Sequence, residues 1–177
     1  MKHILIALLA FAAAPAFAQH AGHATPYAGL QNRQIKALSA EDTQRLLQGA
    51  GMTLALAAEL NGYPGPQHVL EHADALHLSA AQREQTEALL KAHKAEARSL
   101  GAQIVAAERV LDAAFASRGA TPEQIRDLTA RIAALQGELR AAHLQTHLLQ
   151  TTLLTPRQIA HYQRLRGYTS ASHGGHQ

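Results

Sequence analysis

The chain has no cysteine and no tryptophan, and only 4% of its 177 residues are aromatic. Without cysteine there are no disulfides, no thiolate metal ligands and no thiol nucleophile. Stability must come from packing, self-association or metal. The few aromatics speak against a sheet or a thick globular core and suit long, closely packed helices rich in Ala and Leu. No basic run interleaved with aromatics marks a nucleic-acid surface, although the formal net charge is +3. No G-x-S-x-G, no HExxH and no phosphate-binding glycine loop is present, so the reading is non-enzymatic. After the first residues no apolar run reaches the roughly 20 residues a membrane span needs.

The first residues themselves read as a secretory signal. Lys2 and His3 form a basic start, Ile4 to Ala14 an apolar stretch, and Ala16-Phe17-Ala18 an A-x-A cleavage site. Residues 1–18 are therefore assigned to a cleaved signal peptide, with Gln19 as the mature start and the periplasm as destination. Export also argues against a nucleic-acid partner.

What the chain does have is histidine, twelve in all. Four of them form two His-x-x-x-His pairs, His68/His72 and His143/His147, each in a segment that reads as helix. Residues four apart share one helical face. Such a pair can offer two imidazoles to one ion, and imidazole suits zinc, nickel, cobalt or copper. His20/His23 and His173/His176 lie in small, polar tails that read as solvated.

Helix starts are marked clearly. Ser79-Ala80-Ala81-Gln82, Thr121-Pro122-Glu123-Gln124 and Thr155-Pro156-Arg157-Gln158 are capping-box patterns, two with proline at the first helical position. They predict helices over about 80–117, 122–153 and 156–166, preceded by one starting at Pro66 and ending near His77. Thr86, Leu90, His93, Ala97, Leu100, Ile104, Ala107, Leu111 and Ala114 form a seam at steps of three and four; Ile125, Leu128, Ile132, Leu135, Leu139 and Ala142 answer it. The link at residues 117–120 is short, so the two long helices should fold back antiparallel. Ser39 caps a short helix to about Gln48, and a second short helix is expected over Met52 to Leu60.

The expected architecture is all-α: a long antiparallel helical hairpin with short flanking helices, a hooked four-helix arrangement, and a short N-terminal helical extension. The expected organisation is signal 1–18, His-containing tail and linker 19–38, helical extension 39–65, hairpin domain 66–168 and His-containing tail 169–177. Folding the hairpin about Gly119 sets His147 level with about residue 92 and His143 with about residue 96. Folding the preceding helix back about Leu78 sets His68 level with about residue 88. Both pairs thus converge near His93, with Glu87 and Glu96 as nearby carboxylates. The candidate metal ligands are His68, His72, His143, His147, His93 and Glu87. A hydrogen-bonded core histidine is an equal reading for His93.

Leu78-Ser79-Ala80-Ala81-Gln82 and Leu154-Thr155-Pro156-Arg157-Gln158 resemble the two LTxxQ signatures of the Spy/CpxP-like periplasmic family, which includes heavy-metal sensors and zinc-resistance-associated proteins. The resemblance covers about residues 66–168. It implies a His-x-x-x-His before the first signature and a His-led pair late in the return helix, His-x-x-x-Met in the best-known sensors. His147 stands in the place of that methionine, which favours zinc. The sensors' glutamate corresponds to a place near Leu90, with Glu87 one turn earlier. The sensors are membrane-anchored and control an anti-sigma factor, whereas no such anchor is read here. The chaperone branch implies a cradle-shaped homodimer shielding unfolded envelope proteins.

Two functions follow as expectations. The first is a periplasmic metal-binding protein of envelope stress or heavy-metal resistance, acting as sensor, buffer or metal-modulated chaperone, with a divalent transition metal as cofactor. The alternative is a metal-independent holdase. Partners would be a second copy, unfolded envelope proteins or a membrane-bound regulator.

Overall fold

A computed structural model describes residues 25–168. The assigned signal peptide, residues 19–24 and the tail from residue 169, with their histidines, lie outside the described residues. Six α-helices and no strands occur among the described residues: α1 Ala40–Gln48, α2 Leu56–Glu59, α3 Pro66–Glu71, α4 Ala80–Ala116, α5 Pro122–Leu153 and α6 Pro156–Leu165. The fold is all-α, with α4 and α5 packed together as a long hairpin. No described helix is long and apolar enough to cross a membrane.

The starts of the last three helices lie where the hydroxyl residues place them. Ser79 accepts from the Gln82 amide and Thr155 from the Gln158 amide, and each Gln side chain reaches back to its cap. Thr121 accepts from the Gln124 amide. The two reciprocal caps also meet. Gln82 Nε2 donates to Gln158 Oε1 (2.9 Å), and Gln158 Nε2 donates to Gln82 Oε1 (3.0 Å). Each amide donates onward to a loop carbonyl, Gln82 to Leu153 and Gln158 to Leu76. The open base of the hairpin is thereby tied to the starts of α4 and α6.

Leu100, Ile104 and Ala107 of α4 bury against Ile132, Leu135 and Leu139 of α5. The N-terminal extension closes this core: Ile35 and Leu46 are buried in it. α1 approaches α4 at Gly101, where any Cβ would collide with the Leu46 carbonyl. A second cluster at the base gathers Val69, Leu76, Leu154 and Tyr162.

Two expectations need correcting. The helix carrying His68 ends at Glu71, and His72 is its cap with φ −107° and ψ 18°. Residues 72–77 continue as turns, which bury Ala73 and Leu76, and His77 takes a left-handed φ of 49°. The expected helix over 52–60 shrinks to Leu56–Glu59, because Met52 and Thr53 both take left-handed φ values that no α-helix admits.

Candidate metal centre

The seam changes character toward the base. Thr86, His93, Thr146 and Gln150 are buried there in place of aliphatics, and His143 beside them is 4% exposed. Gln150 Nε2 donates to Thr86 Oγ1, and Thr86 donates to the Gln82 carbonyl, while Gln150 Oε1 is left without a partner. The rings of His93 and His143 meet edge to face with centroids 4.4 Å apart. They line a cavity of about 120 Å³ together with His68, His147, Thr146, Leu90, Lys94 and the Gly65-Pro66 turn.

Hydrogen bonds fix which ring nitrogen carries the proton. Thr146 spends its one hydroxyl proton on the Ala142 carbonyl (2.8 Å), so its oxygen accepts from His93 Nδ1 at 3.1 Å. His147 Nδ1 donates to the Tyr63 carbonyl at 2.7 Å. His68 Nδ1 donates to the Glu71 carboxylate at 2.8 Å. In the neutral form of each of these rings the Nε2 lone pair is left over. The Nε2 of His143 is buried with no hydrogen-bond partner at all. A donated Nδ1–H with a free Nε2 is how proteins orient imidazole ligands.

Burial keeps the two inner rings neutral. It lowers His143 to about 4, with His93 and His147 as further causes. It also lowers His93, helped by Lys94 and His147. Neutral imidazole is the form that ligates a metal.

A family model for heavy-metal resistance matches residues 49–160, most of the chain. The chain belongs to the heavy-metal resistance family. No curated protein and no solved structure matches it. All four cavity histidines, and the helices that carry them, fall inside the heavy-metal resistance match.

Of the six residues singled out from the sequence, the structure brings His68, His93, His143 and His147 together. His72 instead sets its ring edge to face against Tyr162, centroids 6.5 Å apart. Glu87 is exposed on the outer face of α4, and so is Glu96. Besides Glu71, exposed and bonded to His68, a buried carboxylate approaches the histidines: Glu59, 7% exposed, with Oε2 3.6 Å from His147 Nδ1. Its only sequence signal is an acid inside an apolar run before a turn cluster.

The donor set suits the metals the heavy-metal resistance family implies: neutral nitrogen lone pairs, one of them buried and unpartnered. The side chains as placed do not close on one point. Among the described residues no three His, Asp or Glu groups are arranged as an ion-holding shell. If an ion binds here, His68, His93, His143 and His147 are the residues that would hold it, and a divalent ion would supply charge and cross-linking between α3, α4 and α5.

Proposed function

We propose that the protein is an exported, periplasmic metal-responsive member of the heavy-metal resistance family. It binds a divalent transition metal, zinc by preference, through His68, His93, His143 and His147. The observation that carries this reading is the buried, partnerless Nε2 of His143 in a cavity shared with three other imidazoles. A buried polar atom without a partner costs about 1–3 kcal/mol and needs a reason to persist; a metal bond is a sufficient one. Ligation by three helices would make the relative placement of α3, α4 and α5 depend on the ion, which is what a sensor, buffer or metal-modulated chaperone requires. The protein acts by binding, and a second copy is the expected partner.

The test is calorimetric titration of metal-stripped protein with Zn, Ni, Co and Cu, beside a His143→Ala/His147→Ala variant. Saturable binding lost in the variant supports the site. Binding of equal strength in both proteins removes it.

A chaperone reading draws support from Leu148 and Leu149, 53% and 55% exposed on α5. It predicts that metal-free protein suppresses aggregation of an unfolded client equally well with and without chelator.

A further inference from the structure

Glu59 is a buried carboxylate on a four-residue helix, and its contacts run in four directions. Its Oε1 accepts from the Tyr162 hydroxyl of α6 and lies 3.6 Å from Arg166 Nε just beyond that helix. Its Oε2 accepts from the Gly65 amide at 3.2 Å and lies 3.6 Å from His147 Nδ1. Gly65 itself faces the His147 ring: a Cβ there would stand 2.8 Å from Cε1. Tyr63, two residues from Gly65, supplies the carbonyl that now takes the Nδ1 proton. Glu59 and Tyr63, which meet the His147 ring at Nδ1, and Gly65, which faces its Cε1–Nε2 edge, all belong to residues 59–65.

We propose that Glu59 is a positioning residue for metal. In the metal-bound state His147 Nδ1–H turns from the Tyr63 carbonyl to the Glu59 carboxylate, and the same carboxylate transmits occupancy to α6 through Tyr162 and Arg166. The inference rests on the reading of His147 as a ligand. The physical grounds are direct. Nδ1 already sits within 3.6 Å of the carboxylate, so a small ring movement completes the bond. A carboxylate behind a ligating imidazole fixes its tautomer and raises its basicity. Burial keeps Glu59 from being solvated away, and Tyr162, Arg166 and the Gly65 amide hold it in place. Glu87 offers none of these contacts.

The test compares zinc binding by wild type, Glu59→Gln and Tyr162→Phe, with hydrogen exchange of α6 amides followed in each. Expected is a fall in zinc affinity of about 10- to 100-fold in Glu59→Gln. Zinc should slow exchange in α6 of wild type and leave it unchanged in Glu59→Gln. Tyr162→Phe keeps the carboxylate and so keeps most of the affinity while weakening the response of α6. Nitrogen-15 spectra of the wild-type imidazoles need no variant and should report the His147 Nδ1–H environment changing on zinc addition. Zinc binding of wild-type strength in folded Glu59→Gln would overturn the proposal, as would a His147 Nδ1–H signal unmoved by zinc. Absence of zinc binding in wild type would overturn the site itself, which separates the two failures.

Discussion

The two halves of the α4–α5 hairpin use one geometry for opposite ends. Toward the tip, Leu100, Ile104 and Ala107 meet Ile132, Leu135 and Leu139, and every buried atom of those side chains is satisfied by contact alone. Toward the base, the same seam positions carry Thr86 and His93, facing Thr146, Gln150 and His143. There each buried polar atom needs a partner, and His143 Nε2 and Gln150 Oε1 have none. The tip is optimised for holding the helices together. The base gives up some of that stability to keep nitrogen lone pairs inside the protein.

Breaking the tip should show the largest effect. Ile104 is 1% exposed, and Ile104→Ala should cost about 2–5 kcal/mol of stability, read by urea unfolding of metal-free protein. The base should respond with the opposite sign. His143→Leu removes an unpartnered buried nitrogen and should leave the metal-free protein as stable or more stable, by up to about 1–3 kcal/mol, while zinc binding in calorimetry is lost. A clear destabilisation by His143→Leu would mean that the base is built for stability after all.

Acid sharpens the contrast. His143 is lowered from an ordinary 6.5 to about 4 by burial, and His93 is lowered too. Between those pH values the unfolded chain binds the proton and the folded one does not. The stability these rings contribute is therefore complete above pH 6.5 and lost as pH falls toward about 4. Melting of metal-free protein followed from pH 7 to pH 4 should drop, and the drop should be shallower in His143→Leu. Gln82→Ala, which removes part of the tie at the open base, should cost about 1–2 kcal/mol and be less than additive with Gln158→Ala in a double-mutant cycle. The smallest effect belongs to Glu87→Gln: an exposed side chain away from the cavity, expected to stay within about 0.5 kcal/mol in stability and to leave zinc affinity unchanged.

The hairpin was legible because its boundaries are local. Ser79/Gln82, Thr121/Gln124 and Thr155/Gln158 act over three residues, and the long seam needs only the helical period. The meeting of His68, His93, His143 and His147 was legible for the same reason: equal rise along straight helices sets their levels. His72 was misplaced because α3 ends one residue before it, drawn into turns as Ala73 and Leu76 bury, Leu76 against Leu154 and Tyr162 far along the chain. Glu87 shares the level of the site but not its face, since the seam at that turn is held by Thr86 and Leu90. Glu59 was invisible because its position depends on left-handed Met52 and Thr53 and on Tyr162, 103 residues away.

Gly65 gives the cavity an adjustable wall. The space a side chain would fill at that position is taken by the His147 ring. Alanine there would force the imidazole to shift without changing the identity of any donor atom. If the cavity holds an ion as proposed, variation at this single non-ligating position would retune which ionic radius it prefers, so that selectivity among metals would drift while the donor set stays the same.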